Sequence, residues 1–382
     1  MESEEKISYS YETLWKAIIR PPRDDYTEEL LGDPIFTFNK KTYIRKDYTL
    51  LSSEGYRLYC SFIEPEPESR PSIEMPVVIY LHGNSSSRLE GLRMAPQLLR
   101  RDINLFVFDF AGCGLSEGEY LSLGYHEKDD IKIIIDFICN LPGVSNIGLW
   151  GRSMGAATTM IYGHKDSRVK AMVMDSPFAI FSDMAKDLTR RMIKLPNFIF
   201  SAAISIVGNT IKKKNGLDIK KLNPIDSAEL TNTPCFFIHA DKDELINKEH
   251  SKKLYEKVKG VKILMNCNGG HNSKRPREIV VKIAKFFNKY LRGIDEDDNS
   301  NGEEKLYIEI EPKYGSDSDS SDEENKNDPT EALTKELNEF SKNMNKDDKN
   351  NNSNEKEKLY IDENESNDNN DDGETKNDST GV

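Results

Sequence analysis

The chain has 382 residues, of which 36% are hydrophobic, a low fraction for a protein that folds along its whole length. Residues 296–382 contain 28 acidic and 10 basic side chains and account for the formal net charge of −13, whereas residues 1–295 have a small excess of basic side chains. So mild a positive charge, without any nucleic-acid-binding motif, excludes a nucleic-acid-binding domain, and we expect no nucleic acid among the partners.

Residues 1–40 predict an amphipathic segment that docks on the domain after it. The stretch 9–20 reads YSYETLWKAIIR and places its leucine, tryptophan and isoleucines on one side of a helix, before two prolines. Peripheral contact with a membrane is the alternative role of this helix.

The first residues, MESEEKIS, are acidic and include no apolar run, so we expect no signal peptide. The five cysteines show no CxxC motif and no paired spacing, which is typical of reduced thiols. Together these features predict a cytoplasmic protein.

Apolar runs alternate with helical patterns through most of residues 41–293, which predicts an α/β domain with a mostly parallel central sheet flanked by helices. An antiparallel hairpin at 41–65 comes first. The strands after it are expected at 75–83, 103–112, 145–151, 169–177, 233–244 and 261–270. Their apolar runs are almost unbroken, as in strands that helices cover on both faces. Helices are expected near 89–101, 126–140, 154–164, 247–259 and 276–291.

The connection at about 178–230 is too long for a simple loop and has a helical pattern of its own, so it predicts a helical cap inserted in the domain. Within it, residues 195–211 contain no charged side chain, and these 17 residues are at the lower limit for a membrane span. We favour a buried cap helix or the wall of an apolar substrate pocket.

The stretch GLWGRSMGA, residues 148–156, contains the pattern G-x-S-x-G directly after an apolar strand and before an alanine-rich helix. In this context the glycines allow a sharp strand-to-helix turn that exposes the serine, and the N–H of the next residue can donate to an oxyanion. A serine hydroxyl also needs a nearby base to act as a nucleophile at neutral pH. The pattern therefore predicts Ser153 as the nucleophile and the N–H of Met154 as an oxyanion donor.

Two later segments supply an acid and a base. The acid is expected after the next-to-last strand, where the chain reads HADKDE, and Asp243 is the first choice. Asp241 and Glu244 beside it, and Asp175 at the end of an earlier strand, are the alternatives. The base is expected after the last strand, where the sequence NGGH ends in His271 on a flexible loop.

Five other histidines are present. His82 belongs to the loop that closes the strand at 75–83, and we expect it to orient this loop, whose Asn84 N–H would be the second oxyanion donor. His239 lies on a strand and is expected in the core or in support of the acid. The remaining three fall at helix ends and are expected on the surface: His126, His164 and His250.

These residues together resemble the alpha/beta-hydrolase superfamily, and in detail the intracellular serine-hydrolase branch with the motifs HGN, D-x-x-G-x-G-x-S and G-x-S-x-G. The middle motif reads DFAGCGLS here. The segments RPPRDDY, LGYHEKDD, GLWGRSMGA and GGHNSKRP are similar to those of plant and protist members with serine-aminopeptidase-like or lipase-like domains. The resemblance implies the alpha/beta-hydrolase fold over about residues 8–293, with Ser153, Asp243 and His271 as a triad.

From these residues we expect a serine hydrolase that cleaves an ester or thioester through an acyl-enzyme, without a metal or another cofactor. The apolar cap favours a small-molecule or lipid-like acyl substrate, such as an acyl ester, a lysolipid or an S-acylated protein. A peptidase of the serine-aminopeptidase type and a non-catalytic protein with the same fold are the alternatives.

Residues 294–382 predict a disordered acidic tail, because they contain too few apolar side chains to offset the entropy of ordering. The sequence GSDSDSSDEEN at 315–325 is of the kind that acidophilic kinases phosphorylate, and the pentapeptide EKLYI occurs at both 304–308 and 357–361. A solvated spacer is the simplest role for this tail. Phosphorylation and binding of a protein partner are the alternatives.

Overall fold

The computed structural model describes residues 11–192 and 197–296, which form a sheet with helices on both faces. The strands are β1 (Ile35–Phe38), β2 (Lys41–Leu51), β3 (Arg57–Pro65), β4 (Met75–Leu81), β5 (Asn104–Phe108), β6 (Val144–Arg152), β7 (Val169–Asp175), β8 (Cys235–Ala240) and β9 (Lys262–Cys267). Their order across the sheet is β1-β2-β3-β5-β4-β6-β7-β8-β9. The pairs from β1 to β5 are antiparallel, and those from β5 through β4 to β9 are parallel.

The hairpin predicted at 41–65 forms β2 and β3, and the six predicted strands after it form β4 to β9. Every residue of β4, β5 and β8 is buried, because helices cover both faces of these strands. Neighbouring residues of β4 show the division of the core: Ile79 belongs to one apolar cluster, and Tyr80 belongs to the cluster on the opposite face. The carboxyl ends of the parallel strands meet at one edge of the sheet, beside this buried core.

The helices differ from the predicted ones at one place. They are α1 (Tyr11–Ile19), α2 (Arg88–Leu92), α3 (Ala95–Leu99), α4 (Glu127–Cys139), α5 (Met154–Gly163), α6 (Phe181–Met192), α7 (Asn197–Asn215), α8 (Pro224–Ala228), α9 (Glu249–Lys257) and α10 (Arg277–Arg292). The single helix predicted at 89–101 is instead the pair α2 and α3. Pro96 lies in the first turn of α3, where its missing N–H costs nothing, but the same residue could not continue α2.

No strand is predicted at 35–38, where the structure has β1, which pairs with β2 so that Phe38 lies opposite Lys41. The turn between the two strands consists of Asn39 and Lys40, whose φ angles are 49° and 64°. A two-residue hairpin turn with positive φ at both positions matches the right-handed twist of its strands. Asn-Lys is a weaker turn signal than Asn-Gly, which explains why β1 was missed.

Helix α1 packs against the domain through its apolar side. Trp15 and Ile19 are buried in the larger core cluster, and the carbonyl oxygen of Ile19 accepts the N–H of Leu121 at 2.7 Å. The ammonium group of Lys214, at the end of α7, lies 4.2 Å from the centre of the Trp15 indole ring. This cation–π contact joins α1 to the region between β7 and β8.

Between β7 and β8 the chain forms α6, α7 and α8 in place of a simple loop. Val207 and Ile211 of α7 are buried in the larger cluster, whereas three consecutive lysines in the last turn of the helix are exposed. Among the described residues, none of the helices is both long enough and apolar enough to cross a membrane.

Ordered contacts extend a short way into the predicted tail. Beyond α10, the carboxylate of Glu296 accepts two hydrogen bonds from the Arg101 guanidinium, at 2.8 and 2.9 Å. Residues 297–382, which include the serine-rich acidic stretch and both copies of EKLYI, lie outside the described residues, as do residues 1–10.

Candidate active site

Ser153 lies at the sharp turn between β6 and α5. Its φ and ψ angles are 52° and −113°, a conformation that residues with a side chain rarely adopt. A Cβ atom on Gly151 would overlap the backbone of Gly155, and a Cβ on Gly155 would overlap the carbonyl oxygen of Leu81. Both glycines of the G-x-S-x-G pattern are thus required by close packing, and the serine side chain is left partly exposed at the carboxyl edge of the sheet.

The side chains of Ser153, His271 and Asp243 form a continuous chain of hydrogen bonds. The Oγ of Ser153 lies 2.9 Å from Nε2 of His271, and Nδ1 of His271 lies 2.8 Å from Oδ2 of Asp243. With Asp243 ionised, the neutral imidazole carries its proton on Nδ1, and Nε2 is then an acceptor for the serine hydroxyl. The structure therefore brings together the three residues that the sequence analysis selected.

Asp243 has several donors besides His271. Its Oδ1 accepts the N–H groups of Leu245 and Ile246 at 3.0 and 2.7 Å, and Nε2 of His239 lies 3.3 Å from Oδ2. Burial by itself would raise the pKa of Asp243, but the hydrogen bonds from His239, His271 and Ile246 outweigh it and hold the pKa well below its usual range. The carboxylate therefore stays ionised.

His239 is fully buried and is held in one orientation. Its Nε2 lies 2.8 Å from the carbonyl oxygen of Ile246, which can only accept, so Nε2 carries the proton. Its Nδ1 then accepts the hydroxyl of Ser251 at 2.7 Å. This places His239 in support of the acid, as expected from the sequence.

The alternative acids have other surroundings. Asp175 forms a buried bidentate ion pair with Arg275, with distances of 2.8 and 2.9 Å. Asp241 is exposed, and Glu244 accepts the backbone N–H of His271 at 3.1 Å instead of its ring. Of these carboxylates, Asp243 is the one that receives the imidazole of His271.

The loop after β4 lies beside Ser153, since a Cβ atom on Gly83 would be 3.8 Å from the Cβ of Ser153. His82 orients this loop as predicted: its Nε2 accepts the N–H of Phe110 at 3.0 Å, so its Nδ1–H donates to the carbonyl oxygen of Gly83 at 2.7 Å. Within the described residues, the N–H of Asn84 donates to no protein acceptor.

A model of the alpha/beta hydrolase fold matches residues 76–199, the part of the chain that runs from β4 through the nucleophile turn into α7. Among solved structures, an esterase of Pyrococcus furiosus superposes with a TM-score of 0.53 at 22% identity, over 71% of this chain and 99% of the esterase. The chain has the alpha/beta hydrolase fold. The fold that the resemblance implied is therefore confirmed.

Two curated relatives are similar to this chain in sequence. The uncharacterized protein YqkD of Bacillus subtilis is 27% identical over 199 residues, which are 51% of this chain and 64% of the relative. The lysophosphatidylserine lipase ABHD12 of Danio rerio is 26% identical over 189 residues, or 47% of each chain. The matched part of the chain therefore spans less than two thirds of the length of either relative.

The DFAGCGLS motif shapes the loop after β5. The buried carboxylate of Asp109 accepts the N–H of Arg88 at 2.6 Å, the N–H of Leu115 at 3.1 Å and the hydroxyl of Tyr26 at 2.7 Å. A Cβ on Gly114 would overlap this carboxylate. Asp109 is thus a structural residue that joins the loops after β4 and β5.

The segment RPPRDDY, residues 20–26, is attached to the same loops. The Arg23 guanidinium donates to the carbonyl oxygens of Ser116 and Gly118 at 2.8 and 2.7 Å. The hydroxyl of Ser87, which caps α2, donates to Asp24 at 2.6 Å. This N-terminal segment therefore braces the loop that carries Gly83 and Asn84.

One histidine prediction is wrong. His250 is only 2% exposed, because α9 packs against the chain that follows β7, where Nδ1 of His250 accepts the N–H of Ala179 at 3.2 Å. Burial, with a contribution from Lys253, lowers the pKa of His250 to about 4. His126 and His164 are partly exposed. Within residues 11–192 and 197–296, no group of three or more His, Cys, Asp or Glu side chains is arranged to hold a metal ion.

Proposed function

We propose that this alpha/beta hydrolase is a serine hydrolase that cleaves carboxylic esters or thioesters through an acyl-enzyme. The observation that carries the proposal is the hydrogen-bond chain from Ser153 through His271 to Asp243, with both links shorter than 3 Å. Such a chain can activate a serine, because the base lies within proton-transfer distance and the acid fixes its tautomer.

In the first half of the reaction, Oγ of Ser153 attacks the acyl carbon, and its proton passes to Nε2 of His271. The negative charge that develops on the carbonyl oxygen is stabilised by the N–H groups of Met154 and Asn84. Asp243 stabilises the imidazolium ion. When the carbonyl re-forms, the bond to the leaving group breaks, and the alkoxide or thiolate takes the proton from His271.

In the second half, water attacks the acyl carbon and gives its proton to Nε2 of His271. Collapse of the new tetrahedral intermediate breaks the bond to Oγ of Ser153, and the serine recovers the proton from the imidazolium. The carboxylic acid is released, and the enzyme returns to its starting state without any other cofactor.

We place the substrate in the class of acyl esters, lysolipids and S-acylated proteins. Two observations support this choice: residues 195–211 between β7 and β8 contain no charged side chain, and the Danio rerio relative is named as a lysophosphatidylserine lipase. Each methylene of an acyl chain that leaves water contributes about 0.8 kcal/mol, so an apolar cap favours substrates with acyl chains.

The test combines labelling by a fluorophosphonate probe with hydrolysis of p-nitrophenyl esters of increasing chain length. Wild type should be labelled and should turn over the esters, and Ser153→Ala should do neither. The matched control is Ser167→Ala, which removes an exposed serine after α5 and should behave as wild type.

Other outcomes identify the alternatives. Activity on amino-acyl amides without activity on esters would identify a peptidase. A wild-type protein that is folded but neither labelled nor active on any of these substrates would point to a non-catalytic role. Labelling of Ser153→Ala at the wild-type rate would remove Ser153 as the nucleophile.

A further inference from the structure

The side chain of Arg152, the residue before Ser153, connects the loops that meet at the candidate active site. Its Nη1 donates to Oε1 of Glu90 at 2.7 Å, and its Nη2 donates to the backbone carbonyl of His271 at 2.7 Å. The second oxygen of Glu90, Oε2, accepts the N–H of Gly83 at 2.9 Å. A single ion pair therefore joins the loop after β4 to the loop after β9, across the nucleophile turn.

This ion pair is largely removed from solvent, since the side chains of Arg152 and Glu90 are 17% and 10% exposed. Burial by itself would lower the pKa of the Arg152 guanidinium, but the charges of Glu90 and Asp175 raise it above its usual value. An exposed ion pair contributes little to stability, because solvent and salt screen the two charges. In a buried ion pair, a side chain that loses its partner keeps an unpaired charge with few water molecules to solvate it. The positions of both side chains are consequently well defined.

The pair also determines which N–H group the loop after β4 presents to Ser153. The N–H of Gly83 already donates to Glu90, and the carbonyl oxygen of Gly83 already accepts the Nδ1–H of His82. The peptide group before Asn84 is therefore held by its carbonyl oxygen, and its N–H is the donor that remains for an oxyanion. Glu90 holds the preceding peptide, between His82 and Gly83, through the N–H of Gly83. If Glu90 lost its charge, this preceding peptide would be held less firmly, and the peptide before Asn84 is joined to it at Gly83.

We propose that Arg152 and Glu90 are positioning residues that hold the Asn84 N–H and His271 in the correct geometry around Ser153. The inference rests on the proposed serine-hydrolase function. It adds two residues whose roles the G-x-S-x-G and HGN motifs do not specify. Neither residue touches the reacting atoms, so their loss should affect the stabilisation of the transition state more than the binding of substrate.

The test uses Glu90→Gln, which keeps the size and one acceptor but removes the charge, and Arg152→Met, which removes the guanidinium donors. The matched control is Arg101→Met, because Arg101 is also a largely buried arginine in an ion pair but precedes β5 at the opposite end of the strands. For each protein, kcat and KM for a p-nitrophenyl ester are measured, with the Ki of a trifluoromethyl ketone. The hydroxyl of Ser153 would add to the carbonyl carbon of the ketone. The oxyanion of this adduct would lie where the oxyanion of the transition state lies.

We expect Glu90→Gln and Arg152→Met each to lower kcat by about 10- to 100-fold. This decrease is no larger than the decrease in kcat that follows removal of a whole oxyanion donor. KM should change by less than about 3-fold, and the Ki of the ketone should rise in parallel with the loss of kcat/KM. The double variant should be no more than about 3-fold worse than the poorer single variant, because both changes break one network. Arg101→Met should keep kcat within about 2-fold of wild type.

Several results would overturn the inference. It fails if both variants keep the kcat of Arg101→Met, or if kcat falls while the Ki of the ketone stays constant. It also fails if the variants melt at a lower temperature but are fully active well below it, since the role would then be structural only. If Arg152→Met does not fold, the kcat and the ketone Ki of Glu90→Gln decide whether the inference holds. A wild-type protein that fluorophosphonate does not label would instead refute the proposed function.

Discussion

Nδ1 of His271 lies 2.8 Å from Oδ2 of Asp243, and the same carboxylate accepts the N–H groups of Leu245 and Ile246 through its other oxygen. Three donors on one buried carboxylate favour its charged form and fix its orientation. A charged, oriented carboxylate can hold the imidazole in one tautomer. These contacts distinguish Asp243 from the other acidic residues near the site.

The first prediction concerns the identity of the acid. Asp243→Asn should lower kcat on the order of 10³- to 10⁴-fold, because an amide cannot hold His271 in the tautomer that accepts the proton of Ser153. Asp241→Asn, an exposed change two residues away, is the control and should stay within about 2-fold of wild type. Steady-state kinetics on one ester checks both. Similar activity of the two variants would indicate that Asp175 or Glu244 is the acid instead.

The second prediction concerns backbone strain at Ser153, whose φ angle is 52°. Ser153→Ala and Ser153→Gly both remove the hydroxyl, but only glycine adopts this conformation without steric cost. Such strain costs roughly 1–3 kcal/mol, and glycine loses roughly 0.5–1 kcal/mol in backbone entropy, so Ser153→Gly should be about 1 kcal/mol more stable than Ser153→Ala. Urea denaturation measures the difference. An alanine variant as stable as the glycine variant would show that the turn is not strained.

The third prediction concerns the close approach of the nucleophile turn to β4. Gly155→Ala places a Cβ against the carbonyl oxygen of Leu81, and a backbone atom in a sheet cannot move away easily. We expect a loss of about 3 kcal/mol in the free energy of unfolding, at the upper end of the range for overpacking. The control is Gly55→Ala, where the Cβ would meet open space and only the positive φ angle would cost about 1 kcal/mol. If Gly155→Ala and Gly55→Ala lose the same stability in thermal denaturation, the backbone must shift to relieve the overlap with the carbonyl oxygen of Leu81.

The fourth prediction concerns Asp130, a buried residue of α4 whose Oδ1 accepts the N–H and the hydroxyl of Ser53 at 2.8 and 3.1 Å. Burial raises the pKa of Asp130 to about 6, although the bonds from Ser53 oppose this change. The pKa of Asp130 is higher in the folded state than in the unfolded state. The contribution of protonated Asp130 to stability is therefore complete below about pH 4 and is lost as the pH rises through 6.

In Asp130→Asn the side chain at this position cannot titrate. The difference in the free energy of unfolding, wild type minus variant, should therefore decrease between pH 4 and pH 7. The decrease should be at most about 3 kcal/mol, which is the equivalent of two pKa units. Asp136→Asn on the same helix is the control. The hydrogen-bonded ion pair with Lys132 lowers the pKa of Asp136, so its contribution to stability is lost only as the pH falls below about 4, and no decrease is expected between pH 4 and pH 7. Chemical denaturation at both pH values gives the two trends. A difference for Asp130→Asn that is independent of pH would contradict the raised pKa.

Much of the fold could be predicted because it depends on local patterns. Strands that are covered on both faces have long apolar runs, and such runs predicted β4 to β8. The strand β9 was also predicted from its apolar run, but it is a partly exposed strand at the edge of the sheet. The prediction failed where the local signal was weak or misleading. The turn at Asn39 and Lys40 has no glycine, so β1 was missed, and a helical pattern across Pro96 concealed the break between α2 and α3. His250 has the polar neighbours of a surface residue, but its burial depends on a segment far away in the chain.

The sequence by itself determined the strand-to-helix turn at Ser153 and the placement of Asp243 and His271 after the last two strands, because close-packed glycines and strand ends leave short, recognisable motifs. Only the tertiary structure decided how the loops around these residues are held. Glu90 and Arg152 are 62 positions apart, and Asp175 and Arg275 are 100 positions apart. Ion pairs across such distances leave no periodicity or motif in the sequence, since either partner alone has the appearance of an ordinary surface charge. Their pairing follows from the order of the strands in the sheet, which brings the loop ends together.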